Sequence, residues 1–185
     1  MLLIIDAQYD FINGSLAVNG AEDKMNALAM FMKEHGKDYA CVAMTADWHP
    51  ISHCSFKQNG GIWPVHCVQH SHGASIFENV LSEGLALNAH IFTKGDTETK
   101  EEYSVMDNAA SSEELVKMIL NNGINEIDVA GLVFEFCVAG TVKDGVRLLP
   151  NVNFKIFKEF CPILDKKLAD EFTKFIEEND RIELV

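Results

Sequence analysis

Two patterns of apolar positions alternate along the chain. Largely apolar runs, as in strands buried on both faces, occupy positions 2–5, 39–45, 90–93, 127–130, 154–157 and 182–185. Between them the apolar residues recur at helical spacing. Positions 23–35 place Met25, Leu28, Ala29 and Met32 on one side and end at Gly36. Positions 76–81 are read as a short helix. Ser111 and Glu114 form a capping-box pattern ahead of Leu115, Met118 and Ile119, with Gly123 as the stop. Another helix is expected from Glu135, carrying Val138, Val142 and Val146. Asp165 caps a last one, with Leu168, Phe172, Phe175 and Ile176 on one face. Positions 101–110 read as irregular. Strands alternating with helices predict a three-layer α/β fold, with a six-stranded parallel sheet and helices on both faces. In such sheets the ligand site lies beyond the carboxyl ends of the strands.

Length and charge narrow the picture. The chain has 185 residues, 48% of them hydrophobic, so one domain over 1–185 with a sizeable core is the simplest reading. A formal net charge of -13 makes nucleic acid and anionic membrane poor partners. It allows a homo-oligomer. The apolar start of the chain ends at Asp6, too soon for a signal peptide or a membrane span. Five cysteines without a C-x-x-C pair read as reduced thiols, and hence as a cytoplasmic protein.

The reactive residues then fall at the ends of strands. Asp6 follows the first run, Asp47 and His49 the second, Lys94 the third and Cys137 the fourth. Cys137 lies after a strand, in the expected first turn of a helix, where free N–H groups and the helix dipole favour a thiolate. A cysteine nucleophile needs a base and a nearby positive charge, which Asp6 and Lys94 can supply. Taken singly, Asp6 is equally a turn cap, Lys94 a solvated lysine and Cys137 a buried structural cysteine. Together at one sheet edge they favour catalysis. Asp47, His49 and His66 offer two imidazoles and a carboxylate, suited to zinc, iron or manganese. His53 is a further candidate ligand. Phe11 and Trp63 adjoin these loops and can sandwich a flat ring, although core packing is as good a reading. Phe134, Phe136 and Phe160 are assigned to the core, and Cys41, Cys54, Cys67 and Cys161 to structural roles.

These pieces resemble the isochorismatase-like cysteine hydrolases in their nicotinamidase branch. The matching segments are Asp6 to Phe11, Asp47 to Pro50, Trp63 to Gln69 with Gly73 and Ala74, Thr93 to Gly95, and Gly131 to Val138, in the family's order. The resemblance implies a catalytic triad of Asp6, Lys94 and Cys137 and one divalent metal, zinc foremost, on Asp47, His49 and His66. It implies an oxyanion hole from the N–H groups of Val133 and Cys137, with a cis peptide at Leu132-Val133. The implied reaction is hydrolysis of a small amide, nicotinamide, to nicotinate and ammonia through a thioester. Where the family usually has Ala-Thr-Asp-Tyr-Cys, this chain has Val133, Phe134, Glu135, Phe136 and Cys137. Phe134 replaces a small hydroxyl residue, which points to a reshaped pocket. Two other readings stand beside this one. One keeps the triad but acts on another small amide or an N-carbamoyl compound. The other is a thiol-redox or binding protein in which Cys137 is oxidised or inert.

Overall fold

The computed structural model describes residues 1–185. Six parallel strands form one sheet, β1 (Leu2–Ile5), β2 (Val42–Asp47), β3 (His90–Lys94), β4 (Glu126–Gly131), β5 (Asn153–Ile156) and β6 (Ile182–Leu184), in the order β3-β2-β1-β4-β5-β6. The chain runs outward from β1 to β3, then returns to β4 on the other side of β1. The strand order therefore reverses between β1 and β4, the place where open α/β sheets hold their ligands.

Side chains on the two faces of the sheet enter separate cores. Leu3, Ile5, Ile127 and Val129 pack with Leu115 and Ile119 of α4 (Ala109–Asn121), Val142 of α5 (Ala139–Leu148) and Phe172 of α6 (Lys166–Glu177). Leu2, Ile4 and Met44 pack with Met25, Leu28 and Met32 of α2 (Ala21–His35) and Val80 of α3 (Glu78–Ala86). All four residues of β1 have no exposed surface. Each contributes roughly 2 kcal/mol relative to an exposed position. The strand is central because it can bury both of its faces.

Several local expectations are corrected. A short helix, α1 (Tyr9–Ile12), follows β1, where no helix was expected. The helix expected over 76–81 lies later, at Glu78–Ala86. The cap of α4 is Asn108, whose side chain accepts the Ser111 N–H at 3.1 Å. Ser111 instead donates to the Thr93 carbonyl at 2.6 Å. Asn caps as well as Ser does, and Ala109 and Ala110 propagate the helix readily. The helix expected from Glu135 begins as a π-helical turn, Phe134–Val138, and becomes α-helical only at Ala139. Asp165 does cap α6, accepting the Leu168 N–H at 3.1 Å.

Gly131 closes β4 at φ 127, and a Cβ there would lie 2.0 Å from the Ile5 carbonyl oxygen. Both the backbone conformation and the contact require glycine. Gly131→Ala is expected to destabilise the fold by about 3 kcal/mol, read from chemical denaturation, because it combines backbone strain with a clash against the central strand.

Candidate active site

The carboxyl ends of β1, β2 and β3 bring three charged side chains together. Asp47 and Lys94 are cross-strand partners at the ends of β2 and β3. Asp6 follows β1 directly, with φ 46. Lys94 has no exposed surface. Its Nζ lies 2.9 Å from Asp6 Oδ2 and donates a short hydrogen bond to Asp47 Oδ1. It also lies 3.2 Å from the Glu102 carbonyl and 3.4 Å from Cys137 Sγ. The contact with Asp6 Oδ2 is an ion pair that lacks hydrogen-bond alignment, so that oxygen has no hydrogen-bond partner. Asp6 Oδ1 accepts from the Thr45 hydroxyl at 2.6 Å. Atoms of Asp6, Asp47 and Cys137 all lie within 4.8 Å of one another.

Burial disfavours the charge on Lys94, but Asp47, Asp6 and Cys137 outweigh it and hold the ammonium well above the usual lysine range. Asp6 is driven up by burial and by Asp47, against Lys94 and Thr45. Asp47 is pushed up by burial, yet Lys94, His49 and His66 more than reverse this and keep it ionised. Burial, with Asp6 and Asp47, holds the Cys137 thiol well above its ordinary value, and Lys94 opposes this only in part. Cys137 sits in a π-helical turn, buried beside two carboxylates, surroundings that favour the thiol over the thiolate.

A second group faces the first. His49 Nε2 lies 3.5 Å and His66 Nε2 4.0 Å from Asp47 Oδ2. Each ring turns its other nitrogen to a backbone carbonyl, His49 Nδ1 to Gly95 and His66 Nδ1 to Pro64, both at 2.8 Å. The carbonyls place the proton on Nδ1, so both Nε2 lone pairs point inward. His49 Nε2 is buried and has no hydrogen-bond partner. The pair Asp6 and Asp47 also leaves one negative charge beyond what Lys94 balances. An orphaned imidazole nitrogen, a second imidazole and a surplus carboxylate fit a divalent cation. His53 stands apart from this set. Its Nε2 donates to the Lys100 carbonyl at 2.9 Å and its Nδ1 accepts from Ser55 Oγ at 2.7 Å.

The cavity over Cys137 is mostly apolar. Phe11 and Trp63 both line it, as do Val133 and Tyr103. Phe136 lines it too, against the expectation that it belongs to the core, and packs edge-on against Trp63 with ring centroids 5.1 Å apart. Phe134 does the reverse. It is buried against Phe172 at 4.9 Å, in the core as expected, and does not line the cavity. Residues two apart on a helical turn point to different sides, which decides which phenylalanine meets the cavity. Phe160 lies in the core as expected. The Leu132-Val133 peptide is cis, and the Val133 N–H donates to no backbone acceptor. Sequence reasoning missed Thr45, Glu102 and Tyr103. None has a distinctive residue type or spacing, and only Thr45, at the end of a strand, carried a positional signal.

An α/β sheet whose switch point gathers a cysteine, a lysine and an aspartate has the architecture of a small-molecule hydrolase. Residues 1–148 match the Isochorismatase domain family model, and the chain belongs to that family. It is 31% identical to a nicotinamidase of Escherichia coli over 95% of this chain and 89% of that protein. Among solved structures it is similar to the pyrazinamidase of Pyrococcus horikoshii in complex with zinc, at 25% identity and TM-score 0.83, covering 100% of this chain and 97% of that one. It is also similar to PnC1 from L. infantum in complex with nicotinate, at 26% identity and TM-score 0.84, covering 100% and 90%.

A cation held by Asp47, His49 and His66 stabilises the folded state by mass action. Added zinc is expected to raise the melting temperature of chelator-treated protein by several degrees, roughly 2–4 °C per kcal/mol of linkage. His49→Ala removes that response. A melting temperature that rises equally in wild type and His49→Ala would show that the cation binds elsewhere.

Proposed function

We propose that this protein is a metal-dependent cysteine amidohydrolase that converts nicotinamide and water to nicotinate and ammonia. The observation that carries the reading is the convergence of Asp6, Lys94 and Cys137 beneath an apolar cavity flanked by Asp47 and His66. The family and the similar nicotinamidase support the choice of amide. As proposed here, the protein forms one hydrolase domain over 1–185.

Phe11 and Trp63 hold the faces of the ring. Asp47, His49 and His66 hold the cation, for which zinc is the first choice. When bound, the cation would act as a Lewis acid that could orient the ring through its pyridine nitrogen. Asp6 removes the Cys137 thiol proton as the sulfur attacks the carboxamide carbon. Burial raises the basicity of Asp6, and its Oδ2, ion-paired to Lys94 at 2.9 Å, lies on the side shared with Cys137. Lys94 stays charged and balances the negative charge that develops on sulfur. N–H groups of Val133 and Cys137 receive the oxyanion. Asp6 returns the proton to nitrogen as the C–N bond breaks and ammonia leaves. A water molecule, deprotonated by Asp6, then attacks the thioester. The C–S bond breaks, Asp6 returns its proton to Cys137, and the carboxylic acid that forms gives its own proton to solvent, leaving nicotinate.

Cys137→Ala is expected to lower ammonia release by at least about 10³-fold while leaving nicotinamide binding within about threefold, as for loss of a nucleophile. Coupled ammonia assay and calorimetry check the two parts. Ammonia release at the wild-type rate would remove Cys137 from the nucleophile's place.

A further inference from the structure

Three of the four neighbours of the Lys94 ammonium are Asp6, Asp47 and Cys137. The fourth, the Glu102 carbonyl at 3.2 Å, belongs to the irregular segment between β3 and α4. A carbonyl on such a segment stays in place only if something fixes it. The side chain of the same residue turns inward and is buried. Its Oε2 accepts the Gly95 N–H at 2.8 Å and Asn108 Nδ2 at 2.9 Å. Oε1 lies 3.1 Å from the half-exposed Lys100 ammonium.

Each anchor is informative. Gly95 follows Lys94 in the chain, so the carboxylate grips the backbone beside the lysine. The carbonyl of the same residue grips the lysine's far end. Asn108 caps α4, so the other anchor is the end of a helix. A buried carboxylate accepting two N–H bonds is held far more firmly than a solvated one. Its neighbours Glu101 and Tyr103 line the cavity, and the Tyr103 hydroxyl accepts from Trp63 Nε1 at 3.0 Å.

We infer that Glu102 is a positioning residue for the hydrolysis: its carboxylate fixes the segment so that its carbonyl holds the Lys94 ammonium between Asp6, Asp47 and Cys137. The inference rests on the roles proposed above for those three side chains. An effect through Lys94 falls on kcat. An effect through the cavity wall alone falls on KM.

The test compares Glu102→Ala with Glu102→Gln. A single carboxylate oxygen takes both inward bonds, so the glutamine oxygen can take them too, and only the Lys100 contact is lost. Glu102→Ala is expected to lower kcat about tenfold or more with KM within about threefold, and Glu102→Gln to recover most of that loss. Asn108→Ser keeps an oxygen cap for α4 but deletes the donor to Glu102, so kcat falls by about threefold. This variant serves where Glu102→Ala does not fold. Crystal structures supply a readout independent of turnover: in Glu102→Ala, or in Asn108→Ser where that variant does not fold, the 102 carbonyl withdraws and Lys94 Nζ shifts. An unmoved Lys94, a change confined to KM, or a glutamine variant as impaired as alanine each overturns the inference. Wild-type protein that releases no ammonia from nicotinamide, with Lys94 displaced in the variant, sinks the proposed reaction and leaves the positioning role standing.

Discussion

A fully buried ammonium is the constraint on which the catalytic end of this fold depends. Lys94 has no contact with solvent, and its charge is balanced by Asp6 and Asp47. Removing one partner of such a buried pair typically costs about 3–5 kcal/mol, because the remaining charge is left uncompensated. The pairing of β2 with β3 sets Asp47 directly across from Lys94, and the pairing of β1 with β2 brings Asp6 beside them. A slip of one residue in either register would turn these side chains to the other face. Strand register and site electrostatics are therefore one requirement.

Much of this was legible in the sequence, and the limits have physical causes. The six apolar runs mark the six strands because a parallel sheet buries both faces of its strands. The residues just past those runs marked the site edge. Asp6, Asp47, His49, Lys94 and Cys137 follow them, while His66 comes in from the long loop after β2. The helix start at Asn108 was obscured because Ser111 offers an equally good capping pattern three residues later. The side of the turn on which Phe134 and Phe136 fall was not legible. It depends on a π-helical turn, whose extra residue per turn has no sequence signature. Glu102 was invisible for another reason. A glutamate in a polar stretch reads as solvated, and only the folded chain shows it turned inward.

The two chemical centres share one residue. Asp47 offers Oδ1 to Lys94 and turns Oδ2 toward His49 and His66. Its two oxygens divide the work between ion pair and cation site. The imidazoles are preset by the Gly95 and Pro64 carbonyls, so neither ring has to choose a tautomer when a cation arrives. His53 stacks on His49 with centroids 4.0 Å apart, yet spends both its nitrogens on Ser55 and Lys100. It also groups with His49 and Glu101, their ligand atoms within 4.8 Å of one another.

Phe136 and Cys137 are consecutive, and both face the cavity. The aromatic wall and the sulfur proposed as nucleophile thus travel on one turn, and selectivity at that wall is not inherited separately from the sulfur's placement. A lineage acquiring a bulkier substrate meets resistance there, since any exchange that makes room also disturbs the sulfur. Phe11, carried by the separate short helix α1, offers the more evolvable wall.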